Sequence, residues 1–245
     1  MEKWFDFKGR GTNASTEVIA GITTFITMVY IAIVNPAILS KTGMDFNGVF
    51  VATILATMIG TLIMGVFSNY PIAIAPGMGL NSFFAFAVVL ALGITWQKAL
   101  GAVFIASLIF LVLSFTKFRN VLINSIPESL KHSITAGIGL FIAFIGLQGS
   151  KIIVDSPATL VTFGHASDPV VLLTIFNLFV TVVLMMFNVR GNIFIGMVIT
   201  AIIALFNGMI TLPPSLFVWP TGLEHTAMQM DIKGVFDDNL YAIIF

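Results

Sequence analysis

The chain contains no cysteine, which excludes disulfides and cysteine-ligated metal sites and leaves the compartment open. Charge is nearly as scarce: charged residues make up 9% of the 245, against about 25% in an ordinary soluble domain. The eleven basic and eleven acidic residues cancel, so nothing points to nucleic acid or to an acidic partner. The three histidines, His132, His165 and His225, stand at no metal-ligand spacing and read as solvated or capping residues. There is no nucleophile elbow, Walker loop or zinc signature. The stretch Ala75-Pro76-Gly77-Met78-Gly79-Leu80-Asn81 has glycines but no phosphate-loop lysine. An enzyme, a metal and an organic cofactor are therefore not expected. No short apolar region lies in the polar first 17 residues, so a cleavable signal peptide is not expected either. Trp4, Phe5 and Phe7 there suit either an interfacial anchor or a disordered tail.

What is present is apolar length. Hydrophobic residues reach 58% and mean hydropathy is +1.05, so lipid is the expected solvent. Seven spans are read: Glu17 to Leu39, Gly48 to Ser68, Pro71 to Leu92, Gln97 to Phe115, Pro127 to Gly149, Pro169 to Asn188 and Asn192 to Ile210, with an amphipathic link from Lys117 to Ser125. Proline at the start of the fifth and Ser167-Asp168-Pro169 before the sixth are helix-start signals. The third span is interrupted by Pro71, Pro76, Gly77 and Gly79, inside a run from Phe46 to Gln97 without a charge. A helix from Gly79 to Leu92 rises only about 21 Å, short of the hydrocarbon thickness of about 30 Å. An extended stretch from Pro71 to Pro76 would supply the rest. The span is thus expected to be half strand and half helix, with the helix starting near mid-membrane. Broken backbone at that depth belongs where protein buries it or where it lines a cavity, and such spans build binding sites in secondary transporters.

Lysine and arginine set the orientation. With the N-terminus inside, the cytoplasmic side holds Lys3, Lys8, Arg10, Lys117, Arg119, Lys131 and Arg190, and the outside holds Lys41, Lys98, Lys151 and Lys233. This favours a cytoplasmic N-terminus in the plasma membrane. Residues 1–16 form the cytoplasmic segment and 211–240 a polar outer loop. Residues 241–245 read as the start of an eighth span, which makes the chain an N-terminal fragment. The rival reading is a complete protein with a short interfacial C-terminus.

At the helix start near Gly79, unpaired backbone N–H groups would meet a polar or partly anionic ligand. Gly77 and Gly79 would allow a flat ligand close to the backbone. Asn81 adds an amide whose donor and acceptor match a nucleobase edge, and Phe83, Phe84 and Phe86 offer a stacking face. The competing reading has Asn81 packing the helix and the phenylalanines in lipid. Thr23, Thr24 and Thr27 line a polar cavity, or bond their own helix backbone or a neighbouring helix. Gly137, Gly139 and Gly146, with Ala136 and Ala143, allow close helix packing or a hinge. No carboxylate falls clearly inside a span, so proton- or ion-coupling groups are not in this chain.

The segments GTNASTEVIAGITTFITMVYIAIVNPAIL (11–39), NYPIAIAPGMGLNSFFAF (69–86), WQKALGAVF (96–104) and IPESLKHSITAGIGLFIAFIGL (126–147) resemble the AzgA-like branch of the nucleobase/cation symporter family two, a group of purine permeases. The tail MDIKGVFDD (230–238) resembles the segment before that family's eighth helix. The resemblance implies an all-α polytopic membrane protein of two inverted seven-span repeats, of which this chain is the first. Spans one to four (17–116) would form a core domain and spans five to seven (117–210) a gate. It implies a strand at Ile72 to Pro76 and substrate binding at Gly77, Met78, Gly79, Leu80, Asn81 and Phe83, with Asn81 matching a functionally important asparagine. The expected activity is proton-coupled import of purine nucleobases, guanine and hypoxanthine before adenine. The expected partners are the purine, the bilayer, the absent C-terminal repeat and, as an option, a second copy of the protein. Ser82 departs from the family's usual alanine, and Ser15 from a frequent basic residue. The alternatives are an anion or sulfate transporter of the same fold, and a fragment that does not transport without its other half.

Overall fold

A computed structural model describes residues 5–7, 9, 11–116, 121, 124–211 and 221–237. The predicted Trp4 anchor, most of the Lys117 to Ser125 link and the start of an eighth span lie outside these residues. The elements are helices, in order α1 (Ala14–Met28), α2 (Ile31–Leu39), α3 (Phe46–Val66), α4 (Met78–Ala91), α5 (Trp96–Ser114) and α6 (Glu128–Gly149), then a hairpin, β1 (Ile153–Ser156) and β2 (Leu160–Phe163), then α7 (Pro169–Met186), α8 (Asn192–Phe206) and a short α9 (Ile232–Asp237). Among the described residues five helical stretches, Ala14–Thr42, α3, α5, α6 and α7, are long and apolar enough to cross a membrane, while α4 and α8 are shorter. The chain is a polytopic membrane protein.

The elements depart from the sequence reading in five places. The first span is two helices, not one. The ladder tightens after Val29, where Ala32 and Ile33 donate to the carbonyls three residues back, ahead of Pro36, which cannot donate within α2. The predicted strand at Ile72 to Pro76 is non-helical but carries no strand ladder among the described residues, because a strand exists only by pairing and no partner strand is offered. The third span's helix is α-helical over Met78–Ser82 and then widens to a π-helix over Phe83–Ala91, which no residue pattern announced. The seventh helix stops at Phe206 rather than Ile210, where Gly208 takes φ 67 and gives the left-handed stop. The loop between the fifth and sixth spans holds the hairpin, with Ile153 opposite Phe163 and Ser156 opposite Leu160.

Contacts divide the chain into two compact units. The first comprises Met1–Val34, Ile54–Ala75 and Phe144–Trp219. In it α1 is capped by Asn13, whose side chain accepts from the Thr16 N–H. α7 packs on α8 through Gly196, where a Cβ would collide with Thr181 and the Asn177 side chain. Asp168 caps α7, its Oδ1 accepting from the Val170 N–H at 2.9 Å, with Pro169 in the first turn. Asp168→Ala is expected to lower thermal stability by about 1 kcal/mol through loss of that cap. Lys151, 3.7 Å from Asp168 with a mostly exposed side chain, should give less than about 0.5 kcal/mol on Lys151→Ala. Melting curves of the two purified variants separate the cap from the ion pair.

The second unit comprises Asn35–Thr53, Pro76–Ala143 and Pro220–Phe245. Its core joins Met44, Val49, Phe84, Val88, Val89 and Ala99, with Leu39, Ile94, Trp96 and Leu100 packed around them. The predicted outer loop contributes structure here. α9 lies on α5 with Val235 fully buried, and the Asp231 N–H donates to the Gln97 carbonyl. Gly101 admits this contact, since a Cβ there would sit 2.7 Å from the Asp231 carbonyl oxygen. The small residues of α6 do less than expected, because among the described residues nothing lies within 4 Å of where a Cβ would stand on Gly137, Gly139 or Gly146.

Candidate binding site at the broken span

The break is built from residues that cannot continue a helix. Asn69 takes φ 53, and Pro71 and Pro76 lack backbone donors. Within the first unit, Thr61 of α3 answers both backbone groups of Ile74. Its Oγ1 accepts from the Ile74 N–H at 3.0 Å and donates to the Ile74 carbonyl at 3.3 Å. The Ile74 side chain lies over Gly60, one residue earlier on the same helix.

Within the second unit, the chain resumes as a helix at Met78, one residue before the predicted start, with Gly77 as its extended N-cap. The Asn81 N–H closes the first turn on the Gly77 carbonyl. The N–H groups of Met78, Gly79 and Leu80 precede that bond and find no acceptor among the described residues, as befits a helix start. The two glycines are used differently. Around Gly77 nothing stands within 4 Å of a built Cβ, whereas at Gly79 that place is taken by Ile138 of α6. Close approach of a ligand from the Cβ side is therefore open at Gly77, and helix packing accounts for Gly79.

Asn81 is half-buried. Its Nδ2 donates to Oδ1 of Asn35 on α2. Asn35 Nδ2 in turn donates to Thr53 Oγ1 on α3 at 2.8 Å, and that hydroxyl donates to the Val49 carbonyl at 2.7 Å. Asn35 and Thr53 are 3% and 5% exposed. Neither Asn35 nor Thr53 is among the candidate site residues that the sequence singles out. The available signal was an amide inside the apolar stretch Ile31 to Leu39, since a polar side chain in a span demands a partner. Ser82 is fully buried, and its Oγ has no hydrogen-bond partner among the described residues.

The aromatic residues separate. Phe84 belongs to the core. Phe86 takes the Lys41 ammonium over its ring at 5.3 Å. Phe83 is exposed, as is Leu80. Of the three, only Phe83 is exposed. Thr23, Thr24 and Thr27 donate to the carbonyls of Ile19, Ala20 and Thr24, so their protons are committed to their own helix. No cluster of three or more candidate metal ligands occurs among the described residues.

Comparison with known sequences places this geometry in context. A family model described as "Permease family" matches residues 15–239. The guanine/hypoxanthine permease PbuO of Bacillus subtilis is 48% identical over 246 residues, which cover 98% of this chain and 57% of PbuO. The adenine permease AdeP of Escherichia coli is 42% identical, over 100% of this chain and 55% of AdeP. A putative permease of Methanocaldococcus jannaschii is 48% identical, over 100% of this chain and 56% of its own length. The chain spans somewhat over half the length of these curated relatives.

Proposed function

The chain belongs to the permease family whose model matches residues 15–239, and on that premise we propose that it forms the first seven-span repeat of a proton-coupled importer of purine nucleobases. Guanine and hypoxanthine are the preferred substrates and adenine the next. The observation that carries the reading is the Asn81 amide, held by Asn35 one turn into a helix that begins at a proline–glycine break. The unpaired N–H groups of Met78, Gly79 and Leu80, the open approach at Gly77 and the exposed ring of Phe83 complete a site for a flat, polar ring. Relatives named as guanine/hypoxanthine and adenine permeases support the substrate class.

In this proposal residues 17–116 act as the core and 117–210 as the gate, and the N-terminus faces the cytoplasm. The proton-coupling carboxylates and a strand to pair with Ile72–Pro76 would come from a second repeat, in the part of the relatives' length that this chain does not cover. Pairing would satisfy backbone that the described residues leave without a ladder, as membrane depth requires.

The test is uptake of labelled hypoxanthine by cells without purine permeases of their own, expressing the complete gene that encodes this chain. Unlabelled guanine should compete strongly, adenine less and sulfate not at all, and a protonophore should collapse uptake. Competition by sulfate with indifference to purines would replace this reading with an anion transporter using the same helix start. Uptake unchanged by the protonophore would remove proton coupling.

A further inference from the structure

Three helices meet in a one-way chain of hydrogen bonds. A hydroxyl has one proton to give, and Thr53 gives it to the Val49 carbonyl of its own helix. Toward Asn35 it can then only accept. Asn35 must therefore turn its Nδ2 to Thr53, which leaves its Oδ1 facing Asn81. Asn81 in turn must present nitrogen to Asn35. Its own Oδ1, with one remaining N–H, is left without a partner among the described residues. An amide free to rotate by half a turn would offer a ligand either donor or acceptor. This one is held in a single sense by groups 46 and 18 residues apart in sequence, two of them buried.

We infer that Asn35 and Thr53 are positioning residues that lock the Asn81 amide with its carbonyl oxygen outward, so that the site selects a ligand carrying an N–H donor. The inference rests on the purine reading and sharpens it. Asn81 would contact the base through Oδ1, and methylating the matching ring nitrogen would remove the donor and add a clash. Asn35 and Thr53 do not touch the base.

The experiment measures transport by the complete protein in proteoliposomes at equal transporter content, with hypoxanthine and its analogues methylated at each ring nitrogen in turn. Thr53→Val removes the acceptor for Asn35 while keeping side-chain shape. It should raise KM for hypoxanthine about fivefold, the usual scale of one hydrogen bond, with Vmax little changed. It should also weaken the penalty at one methylated position. Thr53→Ser, which retains the hydroxyl, should behave as the parent. Asn35→Leu should shift KM in the same direction as Thr53→Val, so the result does not hang on one variant folding. Combined with Asn81→Ala, Thr53→Val should add nothing. Normal KM and normal methyl discrimination in both Thr53→Val and Asn35→Leu, with Asn81→Ala impaired, would overturn the relay and leave the purine site standing. Normal KM in Asn81→Ala would overturn the site itself.

Discussion

Thr61→Val is expected to destabilise the protein by about 2–4 kcal/mol, because it leaves two backbone groups unanswered at once. Thr61 Oγ1 accepts from the N–H of Ile74 and donates to its carbonyl, so a single side chain stands in for the ladder that this stretch lacks. Valine matches threonine in shape and loses only the hydroxyl. The loss is therefore one of hydrogen bonding, with little change in packing over Gly60. The size of the effect also reports depth. In hydrocarbon no solvent can replace the lost bonds, whereas at a wetted surface water would take them and the cost would fall below about 1 kcal/mol. Thermal unfolding of the reconstituted protein, followed for Thr61→Val beside Thr61→Ser, is the measurement. The serine variant should recover most of the loss. A valine variant that melts with the parent would show that Ile74 needs no protein partner.

Asn81→Ala carries the second large effect, on transport. It deletes the amide proposed to meet the base and also strips Asn35 Oδ1 of its donor at a position 3% exposed. A binding group lost together with a polar atom left unpaired is worth more than either alone. Uptake of hypoxanthine at concentrations well below KM is expected to fall by tenfold or more, corresponding to at least about 1.4 kcal/mol of binding. Surface abundance measured in parallel separates this from a folding loss. Uptake within twofold of the parent at normal abundance would contradict the role given to Asn81.

Much of the fold was readable because its causes are local. The apolar lengths mark the spans and Asp168-Pro169 starts α7 whether or not any neighbour is present. The π-helix over Phe83–Ala91 and the placing of α9 on α5 were not readable. A change of helical pitch leaves no residue signature, and Val235 looks like any apolar residue until Gly101 is seen to admit the Asp231 backbone beside it. The site divides in the same way. Asn81 stood out as a polar residue just past the break, but Asn35 was one amide inside a span and Thr53 one threonine among many.

The sequence by itself determined that the third span must break and where its helix must restart. Proline removes a donor and glycine relaxes the backbone in any surroundings. Only the tertiary structure decided what answers the break. Thr61 reaches Ile74 across 13 residues, and Asn35 reaches Asn81 across 46. A buried polar group takes whichever partner the packed helices bring within hydrogen-bond distance, and sequence spacing does not encode that distance.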